Sequence, residues 1–362
     1  MESETLLSSQ IKNEYYFWLF GLVNNITFIL LITASVDILP KNIGVIGACA
    51  ISPVFIVKVI TPFIIKYKIC NYDNRVKILT LLYFLAYILI CFSDELNFIV
   101  AGIILSGIAS GIGEITFVPI ASMISERCIS YWSSGSGFAG VIGSGYYLIM
   151  TQLFYLKSNI TILFLIWLPF SMIIFYKKLN FNQENIEYLN YKNLKKEELK
   201  LWTVSYILPL FIVYFCEYSI NLTTYVELIN FNGKIFNQDE VYKKYCFTYQ
   251  SGVLISRSLK LVFPNFKINF IWIFPILQGI NLILFSLFSG YKIIPNISVI
   301  YLLILYEGLL GGMAYLLTFS KIKNKLTDDK RELCTSITTL GEVLGQIFAT
   351  IYSIFIYKKL IL

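Results

Sequence analysis

Eleven apolar runs, each near the length that crosses a bilayer as a helix, fill almost the whole of this chain. Bounded by polar residues, Pro or Gly, they fall near 15–38, 43–65, 76–93, 97–118, 131–153, 159–176, 201–221, 241–260, 270–289, 296–319 and 332–357. A helix needs about 20 mostly apolar residues to span the hydrocarbon of a membrane, and inside lipid only helices and closed barrels satisfy their own backbone polar groups. Hydrophobic residues make up 57% of the 362 and charged residues 14%, against roughly 25% charged in a soluble domain. A soluble protein so composed could not cover its surface. The chain is therefore expected to be an all-α polytopic membrane protein of about eleven transmembrane helices. A polar stretch divides it into a tail (1–14), a six-helix bundle (15–176), a linker (177–200) and a five-helix bundle (201–362).

The tail lacks the basic start of a cleavable signal peptide, so the first run reads as a retained span. Lys and Arg gather in cytoplasmic loops. Alternate loops here carry 20 and 8 of them, with Lys58 inside a span. That bias places the tail and the linker on the cytoplasmic side and, with an odd helix count, the C-terminus on the lumenal or external side. The sequons at Asn159, Asn221 and Asn296 fall on the same lumenal side and are candidate glycosylation sites. The net charge of +7 is spread over many loops, which argues against a nucleic-acid partner. The run 241–260 is the most polar, and it fits either a helix lining a wet interior or one lying at the interface.

There is no histidine, which removes HExxH zinc sites, Ser-His-Asp triads and histidine proton relays. Any proton handling falls to carboxylates. The seven cysteines include no CxxC and indicate neither a disulfide framework nor a metal cluster. No enzymatic activity and no cofactor are expected.

A faint internal repeat is visible. Gly107-Ile-Ala-Ser-Gly111 in the fourth run and Gly308-Leu-Leu-Gly-Gly312 in the tenth stand at the same place in halves offset by six helices, each followed by a charged loop. GxxxG lets helix backbones approach closely, and simple packing accounts for one such motif. Its recurrence with similar flanks favours two parallel repeats.

Charges at membrane depth cost about 2.5 kcal/mol or more each, which makes them functional candidates. Here they are Asp37, Lys58, Glu114, Glu217, Arg257, Glu307 and Glu342. Counted from the span ends, Glu307 and Glu342 fall nearest the midplane, where a role in a cavity or in coupling competes with a structural ion pair. Arg257 and Asp37 lie near span ends and could reach the interface. Asn24 and Asn25 in the first run should face the bundle interior. Ser133, Ser134 and Ser136 open the fifth run in a Ser/Gly cluster that could present donors to an anion, or simply pack.

Several blocks in order resemble the battenin family of lysosomal and vacuolar membrane proteins, linked to juvenile neuronal ceroid lipofuscinosis. They include FWLFGLVNNITF (17–28), SGIGEITF (110–117), YWSSGSGFAG (131–140), VYFCEY (213–218), YQSGVLISRS (249–258) and LYEGLLGG (305–312). The resemblance implies a major-facilitator-like fold of two parallel helix bundles, six plus five, in the endolysosomal or vacuolar membrane. It further implies export of glycerophosphodiesters from the lumen, with a role in lumenal pH and basic amino-acid homeostasis. The expected partners are a small-molecule solute, protons and membrane lipids. An anionic phosphodiester needs a cation, and Lys58, which lies deeper than Arg257, is the expected contact. The animal members' long cytoplasmic insert and C-terminal CaaX box are missing from this chain, whereas Glu2, Leu6 and Leu7 fit an acidic dileucine signal read by sorting adaptors. A membrane-embedded regulator of vesicle trafficking or organelle pH, without transport of its own, is the alternative.

Overall fold

The computed structural model describes residues 12–26, 29–30, 43–66, 70–92, 95–179, 196–225, 228, 238–291, 296–325 and 328–361. Among these residues the chain forms eleven helices of fifteen residues or more, a short turn of helix at Leu259–Val262 and no strand. They are α1 (12–26), α2 (Ile43–Lys66), α3 (Tyr72–Cys91), α4 (Leu96–Ile124) and α5 (Glu126–Leu148), then α6 (Ser158–Lys178) and α7 (Glu197–Thr224). The set is completed by α8 (Gln238–Arg257), α9 (Ile273–Gly290), α10 (Ile297–Lys325) and α11 (Asp328–Ile361). Asp37, the dileucine candidates Glu2, Leu6 and Leu7, and most of the linker lie outside the described residues.

Seven helices are long and apolar enough to cross a membrane by composition alone: α3, α4, α6, α7, α9, α10 and α11. Helix α9 shows how such a segment is built. Ile273, Ile276, Ile280, Ile283 and Leu287 are exposed at helical spacing, whereas Phe274, Gln278, Asn281 and Phe285 are buried. Its apolar stripe thus faces outward and its polar side chains face inward, the reverse of a helix in a water-soluble protein. Of the four helices that miss the criterion, α2, α5 and α8 carry Lys58, the Ser/Gly cluster and Arg257. They are shielded by the fold. Helix α5 packs on α8 and α2 on α11, and these are the main contacts between the N-terminal and C-terminal halves. Helix α8 is therefore an interior helix rather than an interfacial one.

The glycines explain the packing inside each half. A Cβ at Gly107 of α4 would collide with the Ala50 carbonyl of α2, and one at Gly308 of α10 with the Tyr249 carbonyl of α8. Both GxxxG motifs therefore seat the same kind of contact, which supports the two parallel repeats. Helix boundaries differ locally from expectation. Helix α5 begins at Glu126 rather than near 131, because the Ser125 Oγ accepts the Cys128 N–H at 3.0 Å and caps it directly after α4.

Candidate solute cavity

Between the halves lies a cavity of about 100 Å3, walled by α1, α2, α4 and α5 from one side and α7, α8, α10 and α11 from the other. Its ionic side chains are Lys58, Glu114, Glu217, Arg257 and Glu342, interleaved with tyrosines.

Lys58 is enclosed completely. Its Nζ stands 2.8 Å from Glu114 Oε2 of α4, donates to Glu342 of α11 and lies 3.3 Å from the Thr339 carbonyl. An ammonium has three donors, and all three are used within the protein. Two carboxylates thus share one cation, and this cluster joins the halves because α2 and α4 belong to one and α11 to the other.

Arg257 is held differently. Its Nη1 donates to Ser136 Oγ of α5 at 2.6 Å and its Nη2 to the Tyr214 hydroxyl of α7 at 3.1 Å. The guanidinium carbon stands 4.4 Å from the centre of the Tyr315 ring, a cation–π distance. Its Nε is buried without a hydrogen-bond partner. Among the described residues no carboxylate forms an ion pair with it. The Tyr315 hydroxyl accepts from Trp132 Nε1 at 3.1 Å and reaches Glu114 Oε1 at 3.5 Å, so the two cationic sites are connected.

A family model described as CLN3 protein matches residues 15–200 and 179–361. The chain belongs to the CLN3 family. Protein BTN1 of Kluyveromyces lactis is 32% identical over 96% of this chain and 94% of its own length, and battenin of Canis lupus familiaris is 30% identical over 92% and 88%. Among solved structures, the human organic anion transporter MFSD10 superposes with a TM-score of 0.69 at 10% identity, covering 95% of this chain and 94% of that one. The major facilitator superfamily transporter FucP in its outward conformation gives 0.62 at 14% identity, covering 94% and 89%. This CLN3-family chain is thus a multi-pass membrane protein with the major facilitator fold.

The expected site residues of this CLN3-family member separate into two groups. Lys58, Glu114, Glu217, Arg257, Glu342, Asn25 and Ser136 line the cavity. Arg257 points into it instead of reaching the interface. Lys58, expected to meet the solute's phosphate, is saturated by two carboxylates and is poorly placed for that task. Glu307, expected at a water-filled cavity, is fully enclosed away from it, where one oxygen accepts the Tyr225 hydroxyl at 2.6 Å. Asn24 is buried in the N-terminal half, donating to the Ser110 carbonyl at 3.2 Å and receiving the Tyr83 hydroxyl on its own carbonyl at 2.5 Å. Ser134 bonds Ser258 at 2.8 Å across the two halves, and Ser133 is buried outside the cavity.

Of the sequons, Asn296 is exposed and its Oδ1 accepts the Ser298 N–H at 3.0 Å as α10 begins. Asn159 is half-buried in the first turn of α6, and Asn221 lies half-buried inside the last turns of α7. The tyrosines of the cavity, Tyr214, Tyr218, Tyr249 and Tyr315, were not anticipated. In a chain with 26 tyrosines no single one stands out, yet Tyr249 holds Glu217 by a hydrogen bond and Tyr315 faces Arg257.

Proposed function

We propose that this chain is an endolysosomal or vacuolar transporter that exports glycerophosphodiesters from the lumen by alternating access. The observation that carries this reading is Arg257, a cation in the cavity between the halves that lacks a carboxylate partner among the described residues. A phosphodiester supplies one negative charge and glycerol hydroxyls, and the cavity offers a guanidinium beside neutral hydroxyl and amide groups such as Ser136, Tyr214 and Gln250. Family membership over nearly the whole chain supports a multi-pass membrane protein. MFSD10, by its description an organic anion transporter, shares the fold.

The Lys58 cluster supports coupling to protons. Two carboxylates on one ammonium leave one negative charge over, and a proton can make up the difference. Movement of such protons with solute would tie export to lumenal pH and, through it, to basic amino-acid balance. Purified protein in liposomes tests the reading. Labelled glycerophosphoglycerol should cross in a saturable way that responds to an imposed pH gradient, while glycerol flux stays at the level of empty liposomes. No flux of any glycerophosphodiester by well-folded protein would favour a regulator of trafficking or organelle pH without its own transport.

A further inference from the structure

The two cations of the cavity stand at matching positions of the internal repeat. Gly107 and Gly111 of α4 pack on Ala50, Val54 and Val57 of α2. Gly308 and Gly312 of α10 pack on Tyr249, Val253 and Ser256 of α8. One offset of 199 relates α2 to α8 (50 to 249, 54 to 253, 57 to 256), and one of 201 relates α4 to α10 (107 to 308, 111 to 312). The same offsets carry Lys58 onto Arg257 and Glu114 onto Tyr315.

Helices α5 and α11 follow the same rule. Gly135 packs on the Trp18 carbonyl of α1, and Gly341 on the Ile207 carbonyl of α7. The offset of 206 between these glycines carries Ser136 onto Glu342. An internal check comes from α1 and α7, whose offset of 189 (18 to 207) carries Asn25 onto Tyr214, and both line the cavity.

The contacts obey this correspondence. Lys58 is held by Glu114 and Glu342, and Arg257 is held by their counterparts Tyr315 and Ser136. The two cradles share their architecture and differ in charge, because the first contains two carboxylates and the second a phenol and an alcohol. Glu217, the remaining acid of the cavity, is engaged by Tyr249; it and Glu342 act on Arg257 through space, and neither forms a contact ion pair with it. A buried cation is stable when an anion faces it.

We infer that the Arg257 cradle is the seat of the solute's anionic group, which takes the place that the Glu342 carboxylate takes beside Lys58. The sister cradle is closed to a solute anion by the protein's own carboxylates, and the open one is specific for a monoanion such as a phosphodiester. Tyr315 and Ser136 thereby become specificity-determining residues, since a carboxylate at either would compete with the solute. The inference rests on the proposed function only for the identity of the solute, not for the existence of the seat.

Filling the open seat from within the chain tests it. Purified full-length protein is titrated with dimethyl phosphate, a small phosphodiester monoanion, using wild type, Ser136→Glu and Ser136→Gln. The two substitutions match in size and differ in charge. Ser136→Glu should bind at least roughly tenfold more weakly than Ser136→Gln, the factor expected of one charge-assisted contact, and should melt at a higher temperature without ligand. Equal binding by the two variants, or no binding by wild type, overturns the inference. Charge-dependent binding without glycerophosphodiester flux in liposomes would sink the transport reading and leave the seat intact, whereas flux with equal binding by the two variants would sink the seat alone.

Discussion

Replacing Lys58 by methionine removes the one cation from between Glu114 and Glu342 and keeps the aliphatic stem. The Lys58–Glu114 separation of 2.8 Å corresponds to an attraction of about 6 kcal/mol at an effective dielectric of about 20. Much of that offsets the desolvation of the charges, and breaking a buried pair by deleting one member costs on the order of 3–5 kcal/mol net. Lys58→Met should accordingly lower the melting midpoint of the detergent-purified protein by on the order of 10 °C. Neutralising the acids as well, in Lys58→Met/Glu114→Gln/Glu342→Gln, should recover most of that loss, because a neutral cluster of the same shape has no orphaned charge. The triple variant should also still bind dimethyl phosphate, since Arg257 is untouched. A Lys58→Met protein as stable as wild type, or a triple variant no better than the single one, would refute the reasoning that the protein's own carboxylates close this cradle around Lys58.

Other outcomes follow from the same geometry. Glu307→Gln should leave solute flux unchanged, because Glu307 is enclosed away from the cavity and a glutamine oxygen can still accept the Tyr225 hydroxyl; abolished flux in a folded variant would contradict this. Tyr225→Phe should instead cost about 1–3 kcal/mol in thermal or chemical unfolding, since it strips the Glu307 carboxylate of its donor, and an unchanged unfolding curve would count against the pair. At the turn between α4 and α5, Glu126 joins the halves by pairing with Lys260 and accepting from Asn324 Nδ2 at 3.2 Å. Glu126→Gln should weaken closure at that end by about 1 kcal/mol, a roughly fivefold change in population, read as faster maleimide labelling of the buried Cys128; an unaltered labelling rate would show that this contact does not hold the halves together.

Apolar length and polar punctuation revealed the helix count and the division into two bundles, because lipid leaves a buried backbone few other solutions. Helix ends were less legible. The start of α5 depends on Ser125 acting as a cap, and serine followed by Glu-Arg reads equally well as a loop. The charged candidates were found because charge in lipid is conspicuous, and five of them do line one cavity. Their roles were harder to read, since position along a span says nothing about which way a side chain faces. Glu307 lies near the middle of its helix yet does not line the cavity, and Arg257 lies at the end of α8 yet does. The balance between Lys58 and Arg257 depends on carboxylates contributed by α4 and α11, which only tertiary packing brings together. One signal was present in the sequence: the repeated GxxxG register places Tyr315 where its sister helix has Glu114.

The most direct measurement is the initial rate of labelled glycerophosphoglycerol entry into liposomes containing equal amounts of folded wild-type or Arg257→Gln protein. If an anionic solute crosses on the Arg257 cradle, wild type shows saturable flux and Arg257→Gln falls to the level of empty liposomes while its fold is retained. Flux by Arg257→Gln equal to wild type, or its absence in wild type, would contradict the central claim.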